Sequence, residues 1–210
     1  MTHPKVQFDG NESSPMLVLA HGAGSGSHSD FMNLLTQELV DQGVCVARFN
    51  FKYMAWAQEH KTRRPPPRLP VLIEEYRRVI EWLDRPCFVG GKSMGGRIAS
   101  HLLLDSDLHS ICGGIAFGFP FHPIKKPERL RTEHILHLEK EFLILQGSRD
   151  PFGSENRASG LHLGAYAHIE WCPDGDHDLI PRKRSGMTQA DNLSLASQHA
   201  ATFMRKLWRG

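Results

Sequence analysis

Ser93, Asp150 and His177 carry the side chains that nucleophilic acyl transfer requires. A serine hydroxyl is a weak nucleophile until a base takes its proton, and an imidazole serves as that base when a carboxylate fixes its tautomer. Ser93 stands at the centre of Gly91-Lys92-Ser93-Met94-Gly95. Asp150 lies in Gln146-Gly147-Ser148-Arg149-Asp150-Pro151, directly after the apolar run Phe142 to Leu145. His177 lies in Pro173-Asp174-Gly175-Asp176-His177-Asp178. Asp174, Asp176 and Asp178 crowd the histidine, yet a neighbour in the same short loop cannot easily face the ring N–H while the ring faces Ser93. Asp150 is therefore the expected acid. A fourth stretch, His21-Gly22-Ala23-Gly24-Ser25-Gly26, lets the main chain approach a reacting carbonyl closely. The expected oxyanion donors are the amides of Ala23 and Met94.

The elements that must hold these residues are legible as an alternation of apolar runs and helical patterns, the mark of a parallel α/β sheet. Met16 to Ala20, Val44 to Phe49, Cys87 to Gly90, Ile111 to Phe117, Glu141 to Leu145 and Ala167 to Trp171 read as strands. Val6-Gln7-Phe8 is a candidate short edge strand. Helical spacing runs through Phe31 to Val40, with Gly43 as a stop, and through Val71 to Leu83, which ends before Pro86. A further helix follows Ser93, and a last one covers Asp191 to Trp208. Ser93, Asp150 and His177 then fall at the ends of strands on one edge of the sheet, where ligands of open α/β sheets bind.

A Gly-x-Ser-x-Gly turn between strand and helix is the nucleophile elbow of α/β-hydrolases, and the order serine, acid, histidine is that fold's order. Three other readings compete. A Walker A loop would want glycine where Pro86 stands and a loop where residues 87 to 89 look like strand. A dinucleotide fingerprint would want glycine at Ser27 and an acid where Arg48-Phe49-Asn50 ends its strand. A merely structural Gly-Ser turn would not explain Asp150 and His177 in the required order and context.

Size and composition fit one domain over residues 1–210: 40% hydrophobic residues are enough for a real core. The formal charge of +2 is too mild to argue for nucleic acid. No run approaches the about 18 apolar residues of a membrane helix, and Met1-Thr2-His3-Pro4-Lys5 opens no secretion signal. Cys45, Cys87, Cys112 and Cys172 form no CxxC pair and suit reduced, buried thiols. His134 and His137 are the closest pair at helical spacing and read as surface residues rather than metal ligands, so no metal and no cofactor are expected. Arg63-Arg64-Pro65-Pro66-Pro67-Arg68 reads as a stiff surface loop. The expected compartment is the cytoplasm.

The chain resembles the testis-expressed protein 30-like branch of α/β-hydrolases, which includes bacterial proteins and the hydrolase-like domain of NSL complex subunit 3. The resemblance runs roughly from Leu17 to Leu179. It is carried by Leu19-Ala20-His21-Gly22-Ala23-Gly24, Arg48-Phe49-Asn50, Gly90-Gly91-Lys92-Ser93-Met94-Gly95, Phe119-Pro120-Phe121-His122-Pro123, Leu130-Arg131-Thr132-Glu133 and Gly147-Ser148-Arg149-Asp150. More distantly it is similar to dienelactone hydrolases, which use cysteine where Ser93 stands. The resemblance implies a hydrolase-like fold and supports the same three catalytic residues.

The expected protein is a compact α/β-hydrolase with a mostly parallel sheet of six or seven strands flanked by helices. Only Gly118 to Lys140 is available for a lid, so the lid is minimal. Gly22, Phe119, His122, Arg129 and Arg131 are the expected substrate-binding residues around an open site. The expected chemistry is hydrolysis of an ester or thioester of a small acyl substrate, without nucleic-acid or membrane partners. The rival class is a catalytically idle hydrolase scaffold used for protein interaction.

Overall fold

The computed structural model describes residues 4–208. Met1, Thr2 and His3, which begin the N-terminus read as signal-free, lie outside the described residues, as do Arg209 and Gly210. In chain order the strands are β1 (Val6–Asp9), β2 (Met16–Ala20), β3 (Cys45–Phe49), β4 (Cys87–Lys92), β5 (Ile111–Phe117), β6 (Phe142–Gly147) and β7 (Ala167–Cys172). The helices are α1 (Asp30–Asp41), α2 (Lys52–Glu59), α3 (Leu69–Leu83), α4 (Met94–Leu102), α5 (Glu155–Ala158) and α6 (Gln189–Leu207). They make an α/β-hydrolase fold. Neither α2 nor α5 was expected from the sequence, because eight and four residues are too short to show a helical period.

The sheet order is β1-β3-β2-β4-β5-β6-β7. The antiparallel edge strand is β1, pairing Val6 with Phe49; every other pairing is parallel. The chain runs outward from β2 to β3, then returns to place β4 on the other side of β2. That reversal leaves a crevice between the loops after β2 and β4. The His21–Gly26 turn and the elbow open into it.

Strands β2, β3 and β4 are buried along their whole length, which is why they read as unbroken apolar runs rather than as alternating ones. Met16, Val18 and Ala20 face α3 and α4 through Leu72, Tyr76, Ile80 and Ile98. Leu17 and Leu19 face α1 and α6 through Met32, Leu35, Ala196 and Met204. The Tyr76 hydroxyl reaches the sheet itself, accepting from Gly90 N at 3.0 Å beside the Val18 and Gly90 carbonyls.

Local sequence fixes the helix ends. Pro70 sits in the first turn of α3, where its missing N–H costs nothing, and Asp84 closes that helix in the left-handed region at φ 44°. Thr188 and Asp191 form a reciprocal capping box at the start of α6. The four cysteines are unpaired; Cys45, Cys87 and Cys172 are buried and Cys112 is half-buried. Burial pushes the Cys87 and Cys172 thiols up to about 12. No helix among the described residues is long and apolar enough to cross a membrane.

Candidate active site

Ser93 links β4 to α4 at φ 52°, ψ −111°, a conformation that a residue with a side chain adopts only under constraint. The constraint is close packing. A Cβ at Gly91 would lie 2.5 Å from the Gly95 carbonyl carbon and 2.6 Å from the Ala20 oxygen, so strand and helix approach as they do only because both positions are glycine. The Ser93 amide donates to Phe117 O at 3.0 Å and its carbonyl accepts from Arg97 N, which ties the turn to β5 and to α4.

The Ser93 hydroxyl donates to His177 Nε2 at 2.8 Å, and His177 Nδ1–H donates to Asp150 Oδ2 at 2.7 Å. Asp150 is fully buried. Its Oδ2 also accepts from Gln146 Nε2 at 2.9 Å, and its Oδ1 accepts from the Phe152 amide at 2.8 Å. Gln146 further spans the Phe119 backbone, accepting from its N–H at 2.6 Å and donating to its carbonyl at 3.2 Å. The carboxylate is thus held by two donors besides the imidazole, which leaves Oδ2 facing the ring. The Phe152 ring packs against that imidazole with centroids 4.4 Å apart.

The other carboxylates near His177 are engaged elsewhere. Asp174 accepts from Arg182, the contact that most strongly lowers its pKa to about 2, and pairs with Arg149 at 3.0 Å. Asp176 Oδ1 accepts from the Asp178 and Ile180 amides, each at 2.9 Å. Asp178 pairs with Lys92 Nζ at 3.1 Å. The loop is also pinned from α6, where buried Asn192 donates to Pro173 O and Leu179 O.

Lys92, between the elbow's first glycine and its serine, is buried. Its ammonium donates to the His177 carbonyl, pairs with Asp178 and lies 4.9 Å from the centre of the Phe31 ring. Burial lowers its pKa, and the Asp178 charge opposes that shift. This lysine therefore holds the backbone of the histidine loop from beneath.

Met94 begins α4, so its amide is among the first-turn N–H groups that have no partner within a helix. A Cβ at Gly22 would lie 3.8 Å from Ser93 Cβ, which places the Gly22–Ala23 turn against Ser93. The Tyr53 hydroxyl anchors that turn by donating to Ala23 O at 3.1 Å. Buried His21 sits behind it. Its Nε2 accepts from Phe51 N at 3.2 Å and its Nδ1–H donates to Gly22 O at 2.7 Å, which requires the neutral ring. Burial lowers its pKa to about 4.

The expected substrate-binding residues divide. Gly22 is beside Ser93. Phe119 is not a lining residue: its ring is fully buried, edge-on to Phe121 at 5.1 Å and Phe142 at 6.0 Å, because the apolar run continues past β5 into the core. His122 is also buried and lines a 240 Å³ cavity with Phe121, Leu130 and Gly153. Arg129 and Arg131 line a separate 540 Å³ cavity with Arg97, His101 and His134. His134 is not the surface residue that its spacing from His137 suggested. It lies in a 3-10 turn, accepts from or donates to Ser100 Oγ at 2.7 Å, and stacks on His101 at 3.7 Å. Among the described residues no group of three or more His, Cys, Asp or Glu side chains could hold a metal ion.

Sequence reasoning missed Gln146, Asn192, Tyr53, Phe152 and the anchoring role of Lys92. Gln146 left a signal: it is the one polar side chain in a fully buried strand, and such a residue needs partners.

Known proteins give the same architecture. A dienelactone hydrolase from Anabaena variabilis superimposes with a TM-score of 0.70 at 16% identity, covering 97% of this chain and 93% of that one. Est1E from Butyrivibrio proteoclasticus, seen with ferulic acid, gives 0.70 at 12% identity over 97% and 94% of the two chains. A serine hydrolase without lid from Xanthomonas campestris gives 0.67 at 18% identity over 98% and 90%. The model of the alpha/beta hydrolase domain matches residues 13–205, and the chain belongs to that family.

Proposed function

We propose that this protein is a cytoplasmic serine hydrolase that cleaves an ester or thioester of a small acyl substrate, without a cofactor. Within its family we place it in the testis-expressed protein 30-like branch, on the motifs quoted above. The observation that carries the reading is the unbroken hydrogen-bond chain from Ser93 Oγ through His177 to buried Asp150, mounted on a strained turn. Ser93 attacks the carbonyl while His177 Nε2 takes its proton. Asp150 holds Nδ1–H in place and stabilises the imidazolium that forms. The amides of Met94 and Ala23 receive the oxyanion, a contribution of about 3 kcal/mol for one such donor. His177 then protonates the leaving alcohol or thiol, and water, activated by the same imidazole, releases the acid from Ser93.

The test is labelling by a fluorophosphonate, followed by a panel of esters and thioesters of increasing acyl length. Stoichiometric labelling at Ser93, absent from Ser93→Ala, supports the proposal. A folded protein that neither reacts nor turns over any of the panel is instead an idle scaffold.

A further inference from the structure

The cavity beside α4 is unusually rich in unneutralised positive charge. Arg97, Arg129 and Arg131 line it together with His101 and His134, and Glu133 is the carboxylate on its wall. Arginine ion pairs among the described residues are made by Arg48, Arg77, Arg78, Arg149 and Arg182, and by none of these three. Arg97 Nε and His101 Nε2 are buried without a hydrogen-bond partner. A guanidinium fork matches the paired oxygens of a carboxylate or phosphate. The 540 Å³ volume lies in the range that small-molecule sites occupy, about 300–1,000 Å³.

The position ties this cavity to the chemistry. Arg97 follows Ser93 by one helical turn, about 6 Å along the axis. Helical side chains in general lean toward the helix N-terminus, the end of α4 that adjoins the elbow. The opposite wall is tied to the histidine: the Arg131 amide donates to Phe121 O, and the next residue, His122, donates to Phe152 O, whose ring packs on His177.

We propose that the pocket is a substrate subsite for an oxyanion, so that the acyl compounds cleaved at Ser93 carry a carboxylate or phosphate at their far end. The claim rests on the hydrolase reading. An anion here meets the side chains of Arg97, Arg129 and Arg131. The substrate's carbonyl end is left to reach the elbow. The burial of Arg97 and Arg131, and the repulsion among their charges, lower the pKa of both groups, a strain that an anion relieves.

The experiment compares mono-4-nitrophenyl half-esters of dicarboxylic acids, from succinate to sebacate, with neutral 4-nitrophenyl esters of equal chain length. In the wild type, kcat/KM for the best half-ester exceeds that of its neutral counterpart about tenfold or more, the worth of one charge-assisted hydrogen bond. The preference peaks at one chain length and fades with salt. Arg131→Gln and Arg129→Gln, whose side chains are not fully buried, erase that ratio, whereas Arg78→Gln on the surface of α3 leaves it intact. Inorganic phosphate inhibits half-ester turnover competitively. Turnover of both series with equal kcat/KM, or a ratio unchanged in the arginine variants, overturns the subsite while leaving the hydrolase standing. Failure of fluorophosphonate labelling and of all turnover removes the hydrolase instead. The pocket is then judged by phosphate titration: a phosphate-dependent rise in Tm that Arg131→Gln abolishes keeps an anion site, and no rise discards it.

Discussion

Around Asp150 both carboxylate oxygens accept hydrogen bonds, and the groups that donate them are themselves fixed by strands or loops. One and two helical turns beyond Ser93, Arg97 Nε and His101 Nε2 are buried with no hydrogen-bond partner, among three arginines that make no ion pair with any described residue. A satisfied network is rigid and needs nothing from outside. A buried polar atom left unpaired costs about 1–3 kcal/mol. The first region is satisfied internally, and the second leaves polar atoms and charges unmatched.

The largest effects fall in the complete region. Ser93→Ala should abolish labelling, and Asp150→Asn should lower kcat on a responsive ester by about four orders of magnitude, through the wrong imidazole tautomer. Circular dichroism checks the fold of each. Asp174→Asn, Asp176→Asn and Asp178→Asn should each cost far less. A heavier loss in any of those three than in Asp150→Asn would mean that the acid is misassigned.

A smaller effect tests whether the network extends beneath the histidine. Lys92→Met keeps the volume but removes the donor to the His177 carbonyl and the pair with Asp178. It should lower kcat about tenfold with KM little changed, the value of one hydrogen bond to a charged group. A drop in Tm with kcat intact would make Lys92 a stabilising residue only.

The smallest effect belongs mainly to the incomplete region. Burial, reinforced by the neighbouring Arg97 charge, lowers the pKa of His101 to about 4; burial, then His101 and Arg97, lower that of His134 to about 3. His21 adds a third such group, held neutral near pH 7. Above about pH 6.5 all are neutral in both folded and unfolded chains. As pH falls from about 6.5 to about 4, the unfolded chain binds protons that the folded one refuses, so stability is lost across that window. Tm measured from pH 7.5 to pH 4 should decline, and His134→Gln should decline less steeply. An equal slope in both proteins would remove the cluster from the account.

Most of the sheet and the three members of the Ser93–His177–Asp150 chain were legible in the sequence, because buried parallel strands read as apolar runs and each functional loop follows one of them. Even the short edge strand Val6–Asp9 lay where expected. What stayed hidden depends on long-range contact. Phe119 looks like a site residue on its motif, and only the packing of Phe121 and Phe142 shows it to be core. Arg97, His101 and Leu104 share one face of the chain leaving Ser93, a spacing visible in the sequence. That Arg129 and Arg131 come to meet them depends on how residues 118–141 fold back, which no periodicity announces. The short helices α2 and α5 were missed because their stability comes from tertiary packing rather than from a long amphipathic pattern.

The hydrogen bond between Ser93 and His177 joins residues 84 positions apart. It exists only when β4 is seated in the middle of the sheet and β6 and β7 have been added at its edge. Parallel pairing of this kind closes long loops before any contact rewards them, which makes it slow. Under the proposed function, reactivity toward a fluorophosphonate is therefore a clock for the end of assembly. After dilution from denaturant it should return later than helical structure does. A growing chain should acquire it only once the Pro173–Asp178 loop and the start of α6 have left the ribosome.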